Sequence, residues 1–182
     1  VALDKRCGGW YVTGSSGSMP HLGNTDLNQL ALGRATTARL NWPSLDGRFD
    51  TAGYLSSNSD IVALMVFEHQ MHLMNLLARI GWEARVAQAQ RATGLGPKLE
   101  VPGGRDSPIG MDDAAVEVVD YMLFTGEAPL SDAAQGSSGF RERFEQQGPF
   151  DRKGRSLRQL DLRRRLMRYP FSYMVYSAVF DA

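Results

Sequence analysis

The stretch Asn58-Ser59-Asp60-Ile61-Val62-Ala63-Leu64-Met65-Val66-Phe67-Glu68-His69-Gln70-Met71-His72-Leu73 decides how this chain folds. Three residues with cap-forming side-chain oxygens stand directly before an apolar run, and such oxygens accept the first unsatisfied N–H groups of a helix. Beyond them Val62, Val66, His69, Leu73, Leu76 and Ile80 recur at alternating steps of four and three, which is one face of an α-helix. Ile61, Met65, Glu68, His72 and Leu76 form the adjacent row, so the apolar surface is broad enough to be buried on two sides. Trp82 to Arg91 is rich in Ala, Gln, Arg and Glu, and Gly81 costs only about 1 kcal/mol, so the helix is expected to reach about Arg91. Thr93-Gly94-Leu95-Gly96-Pro97 then ends it, and Val66 and Leu73 are expected in the core.

Residues 1–58 read differently, being rich in Gly, Ser, Thr, Asn and aromatic residues. Gly8-Gly9-Trp10-Tyr11-Val12-Thr13-Gly14 is an extended piece closed by turns, and Trp42-Pro43 and Leu45-Asp46-Gly47 continue the turn chemistry. A loop-rich segment with room for a small hairpin, packed on a helical segment 59–182, is expected. After the long helix, residues 94–110 hold five Gly and three Pro and form a loop. Asp112-Asp113 caps a second helix, along which Val116, Val119, Met122 and Leu123 repeat with helical period until Gly126 and Pro129. A third helix is expected near Phe140 to Gln147, a fourth over Leu157 to Met167, and Phe171 to Phe180 places Phe171, Met174, Val175, Ala178 and Val179 on one helical face. No βαβ alternation, fixed-period repeat or nucleotide-binding glycine motif occurs. The fold class is therefore mainly α, a single helical domain over 1–182 built on one long central helix.

Composition narrows the function classes. With 182 residues, 43% of them hydrophobic, the chain can bury a core and is not of disordered type. Twenty basic and twenty acidic residues cancel, so no global field draws it to nucleic acid or an anionic membrane. One cysteine excludes an internal disulfide, a four-thiolate zinc site and a C-x-x-C-H haem attachment within these residues. The longest apolar run, Ile61 to Phe67, is too short to span a bilayer. Charge is unevenly spread: residues 141–168 carry ten Lys or Arg against four acids, and residues 100–132 carry eight acids against Arg105 alone. Arg163-Arg164-Arg165 has no aromatic platform beyond Tyr169, so no nucleic-acid partner is expected; a solvated face or an acidic protein partner fits it better.

Two of the three histidines, His69 and His72, lie one turn apart on the long helix beside Glu68. Imidazole suits Zn, Fe and Cu, and a neighbouring carboxylate serves as ligand or orienter, so Glu68, His69 and His72 are candidate ligands of a single metal ion. His21, in Met19-Pro20-His21-Leu22-Gly23-Asn24, stands in a loop that could fold over the same helix face. A core histidine hydrogen-bonded to the N-terminal loops satisfies the same pattern. Cys7 lacks a neighbouring base and reads as a small hydrophobe rather than a nucleophile.

Several strings together resemble a family of large exported bacterial proteins associated with c-type cytochrome domains. They are Gly8-Gly9-Trp10-Tyr11-Val12-Thr13-Gly14, His21-Leu22-Gly23-Asn24, Ser59-Asp60-Ile61-Val62-Ala63-Leu64-Met65-Val66 with Glu68-His69-Gln70, Leu123-Phe124 with Glu127-Ala128-Pro129-Leu130, Gly136-Ser137-Ser138-Gly139-Phe140, Gly154-Arg155-Ser156-Leu157, and Arg168-Tyr169-Pro170 leading to Phe180-Asp181-Ala182. The resemblance implies a periplasmic, redox-linked electron-transfer module whose haem c is attached upstream of Val1, with His21 or His69 as a distal axial ligand and a redox partner protein or upstream cytochrome domain as its partner. Family members carry histidine at the positions of Ser16 and near Met74 and a Trp at that of Cys7, so this chain departs from part of any multi-histidine site. A metal-dependent enzyme using His21, Glu68, His69 and His72, and a structural scaffold, stand as alternatives. The absence of an initiator Met and the apolar end at Phe180 fit a piece of a longer protein.

Overall fold

The computed structural model describes residues 3–25, 41–93 and 111–180. Among these residues three α-helices form: α1, Ile61–Thr93; α2, Met111–Met122; and α3, Phe140–Gln146. Short 3-10 turns occupy Leu3–Lys5, Tyr173–Tyr176 and Ala178–Phe180. No strand forms among the described residues, and where the sequence left room for a hairpin there are isolated bridges, Thr13 pairing in parallel with both Trp42 and Asp60. The molecule is mainly α, with one long helix and a loop-rich N-terminal region.

The chain divides into two compact units. The first comprises residues 1–68 and 126–182 and so holds the first two turns of α1, whereas the second comprises residues 69–125. In the first unit Ile61, Val62, Met65 and Val66 are buried together with Val12, Phe144, Leu160, Leu162, Met167 and Met174. Both apolar rows of α1 are covered over this stretch. In the second unit the two rows part company: His69 and Leu73 of the first row are buried, as is Leu76, which both rows share, while His72 of the adjacent row is exposed. No α1 residue with a described side chain is buried beyond Leu76. The helix persists there on local propensity and on pairs such as Arg79 with Glu83, 3.6 Å apart at i,i+4. By length and composition Ile61–Gln90 would suffice to cross a bilayer, with a mean hydropathy of 1.3 in its most apolar window, but its first turns lie in the core just described.

α2 turns a different face inward from the one its sequence suggested. Ala114, Val118 and Met122 are buried, and Val116, Val119 and Leu123 are exposed. The helix closes through Phe124, which takes a left-handed conformation at φ 55°. A residue with a Cβ pays about 1–2 kcal/mol for that geometry, which the stack of its ring on His69 partly offsets.

The expected helix over Leu157 to Met167 is replaced by a tight reversal. Leu160 and Met167 form an antiparallel bridge, Leu162 donates its N–H to Arg165 O at 2.9 Å, and Leu162 itself is left-handed at φ 62°. Asp161 explains the change, since its Oδ1 accepts from the backbone N–H groups of Arg163 and Arg164 at 2.9 and 3.2 Å, a local alternative to helical bonding. The closing segment likewise forms 3-10 turns rather than one amphipathic helix. Ser172 caps the first, accepting from Met174 N, and Tyr173 and Met174 are buried while Ala178 to Phe180 are exposed.

Candidate functional site

In the first unit the N-terminus of α1 is tied into a polar knot centred on Asp60, which is buried. Oδ1 accepts from Val62 N and Ala63 N at 2.8 and 3.2 Å, the cap that the sequence implied. Oδ2 accepts from Ser137 N, Ser138 N and Ser138 Oγ, each at 2.8 Å. Thr13 completes the arrangement, accepting from Ile61 N through its carbonyl and from Ser59 N through its hydroxyl, with Oγ1 2.6 Å from Ser137 Oγ. A side chain at Gly136 would meet Asp60 Oδ2 at 2.6 Å, so the close approach requires glycine. A carboxylate whose two oxygens receive five donors from two separate segments ties those segments together, which makes this an architectural centre. Sequence reading found the cap but not its second half, because nothing in Gly136-Ser137-Ser138 names the carboxylate it meets. Beside the knot an open cleft of about 370 Å³ is lined by Gly14, Ser15, Asn41, Pro43, Gln135, Gly136 and Ser137, none of them ionisable.

His21 is buried in the same unit, and its Nδ1 accepts from Gly23 N at 3.1 Å. That bond places the proton of the neutral ring on Nε2, the nitrogen that an axial haem ligand would have to leave bare. His21 therefore does not fit a ligand bonded through Nε2. Burial pushes its pKa below the ordinary 6.5, which keeps the ring neutral. Next to it Asn24 takes a left-handed backbone at φ 62° and bonds Val12 through both amide atoms, at 2.7 and 2.8 Å, in the manner of a neighbouring strand.

Glu68 points at a cation rather than a metal position, its Oε2 lying 3.2 Å from Arg6 Nη1. Cys7, one residue on, has its thiol pushed up to about 11 by burial and then by the Glu68 carboxylate, against the smaller opposing effect of Arg6. The thiol stays protonated at neutral pH and is no nucleophile.

His69 and His72 belong to the second unit. The His69 ring is buried and stacks nearly parallel to Tyr121, with centroids 5.0 Å apart, and to Phe124 at 4.7 Å. His72 is exposed and lies tilted against Tyr121 at 4.5 Å, and Tyr121 Oη donates to His69 O at 3.4 Å. Such stacks are worth about 0.5–1.5 kcal/mol each, and the one between Phe124 and His69 offsets part of the cost of the left-handed backbone of Phe124. Sequence reasoning missed both aromatic partners, although Leu123-Phe124 was among the resembling strings.

The four candidate ligands thus fall into two pairs, His21 and Glu68 in one unit and His69 and His72 in the other. Among the described residues no group of three or more His, Cys, Asp or Glu side chains is arranged to hold a metal ion. In comparisons with known proteins, no protein family, curated protein or solved structure matches this chain.

Proposed function

We propose that this chain is a helical scaffold module of a redox-linked, periplasmic protein associated with c-type cytochrome domains, in which haem c is attached outside Val1–Ala182. The observation that carries the scaffold reading is how the candidate ligands are engaged. His21 accepts a backbone hydrogen bond on Nδ1, Glu68 pairs with Arg6, and His69 stacks on Tyr121 and Phe124. Each is spent on holding the fold. The redox association rests on the resembling strings, several of which meet at the Asp60 knot.

His69 as a distal axial ligand is the second reading, favoured by the fixed orientation of a buried imidazole stacked on Tyr121 and Phe124. A single-ion enzyme site is supported least, because Glu68 already has its cation.

Absorption spectroscopy separates these readings. The full-length gene product and this chain are produced with haem-maturation machinery, each as wild type and as His69→Phe, which keeps an aromatic ring for stacking. The scaffold reading expects a Soret band in the full-length protein alone, with spectrum and potential unchanged by the substitution. A shifted spectrum in His69→Phe makes His69 the ligand and overturns the scaffold role, whereas full-length protein without a Soret band ends the redox association.

A further inference from the structure

The basic segment contains two reversals built on the same plan. In the first, Asp151 Oδ1 accepts from Lys153 N and Arg155 N, both at 2.8 Å; in the second, Asp161 Oδ1 accepts from Arg163 N and Arg164 N. Each displays two exposed cations that have no carboxylate partner among the described residues, Arg152 with Lys153 and Arg163 with Arg164. The third cation of each is engaged, Arg155 by Asp151 and Arg165 by Glu127.

What differs is the foundation. The Asp151 turn is closed on itself, by Asp151 N to Arg155 O and Gly154 N to Asp151 O, and residues 149 to 155 are all exposed. The Asp161 turn is flanked by buried Leu160, Leu162, Leu166 and Met167. Its backbone is also pinned from outside: Leu130 N donates to Arg164 O, Ala134 N to Leu162 O, and Leu166 N to Glu127 Oε1, at 2.8 to 3.0 Å. Two guanidiniums are therefore carried on a backbone that needs no further ordering when a ligand arrives.

We infer that the Arg163–Arg164 turn is a docking point for an acidic protein partner, whose paired carboxylates the two guanidiniums receive. Arginine suits this because its planar fork matches a carboxylate with two parallel hydrogen bonds. A single-stranded nucleic acid would want exposed rings beside the two guanidiniums, yet Tyr173 is buried, Tyr176 accepts from Leu157 N, Tyr169 lies under Arg168, and the exposed Phe150 adjoins Asp151 in the chain rather than Asp161. A membrane surface would want an apolar anchor, and the four apolar residues of the turn all face the core. The inference does not depend on where haem is attached.

The test uses the whole chain with a polyglutamate peptide as probe, followed by calorimetry at several salt concentrations. Arg163→Gln/Arg164→Gln is expected to weaken binding about tenfold or more and to flatten its salt dependence, whereas the charge-matched Arg152→Gln/Lys153→Gln changes it less than about threefold. Circular dichroism verifies that both variants fold, and Arg163→Lys/Arg164→Lys, which keeps the charge, is expected to recover only part of the loss. Equal losses in the two double variants would reduce the effect to diffuse charge and overturn the proposal. So would tighter binding to anionic vesicles or to oligothymidine than to the peptide.

Discussion

Asp60 bridges two segments with one carboxylate: Oδ1 caps α1 while Oδ2 receives three donors from Ser137 and Ser138. Asparagine has only one accepting oxygen and would turn its NH₂ group on one set of donors. Asp60→Asn is therefore expected to cost about 2–4 kcal/mol, close to Asp60→Ala, where a simple cap would lose only about 1 kcal/mol. Chemical denaturation measures both, and an Asp60→Asn variant within about 0.5 kcal/mol of wild type would show that the cap alone matters. His21 yields a pH dependence. Its folded pKa lies below its unfolded 6.5, so the unfolded chain binds the proton more readily, and stability falls as pH drops from about 6.5 toward the lower folded value. His21→Asn keeps an acceptor for Gly23 N and removes the titration. Its stability between pH 7 and pH 5 is expected to decline less steeply than that of wild type, and parallel curves would disprove the assignment.

At the scale of the element, α1 is a helix of two characters. Up to Leu76 it is held by burial, with Leu73 fully enclosed, and beyond that by propensity and surface ion pairs, with Trp82 63% exposed. Leu73→Ala is expected to cost about 2–5 kcal/mol and Trp82→Ala less than about 1 kcal/mol, both read from denaturation midpoints. Hydrogen exchange should show the same division, with amides past Leu76 exchanging sooner. Comparable losses at the two positions would mean that the far half of α1 is packed as tightly as the near half. The start and approximate end of this helix were legible because capping and 3.6-residue periodicity are local properties. The reversal at 160–167 was not, because Leu160, Leu162, Leu166 and Met167 satisfy a helical pattern almost as well as a paired turn, and Asp161 decides between them through its own backbone bonds.

The whole molecule has a formal net charge of zero at pH 7, so self-repulsion is least near neutrality. Light scattering across about pH 5 to 9 at low ionic strength is expected to show a solubility minimum near pH 7, relieved by ~0.3 M salt because opposed charge blocks are what attract. Scattering that instead grows with salt would point to the exposed Val116, Val119 and Leu123 as the adhesive surface.

By itself the sequence determined the mainly helical class, the position of the long helix, the loop-rich character of the N-terminal region and the exclusion of internally attached c-type haem, all of which depend on neighbours in the chain or on counts of residue types. Tertiary structure alone decided which face of α2 is buried, that Asp60 reaches Ser137, and that His69 finds Tyr121 and Phe124. It also placed Glu68 on Arg6 and set His21 against a backbone N–H, contacts that no local pattern in the chain announces. The physical reason is that a carboxylate or an imidazole carries the same chemistry toward a metal, a cation or a backbone donor, and only the groups brought beside it by distant parts of the chain settle which of these it meets.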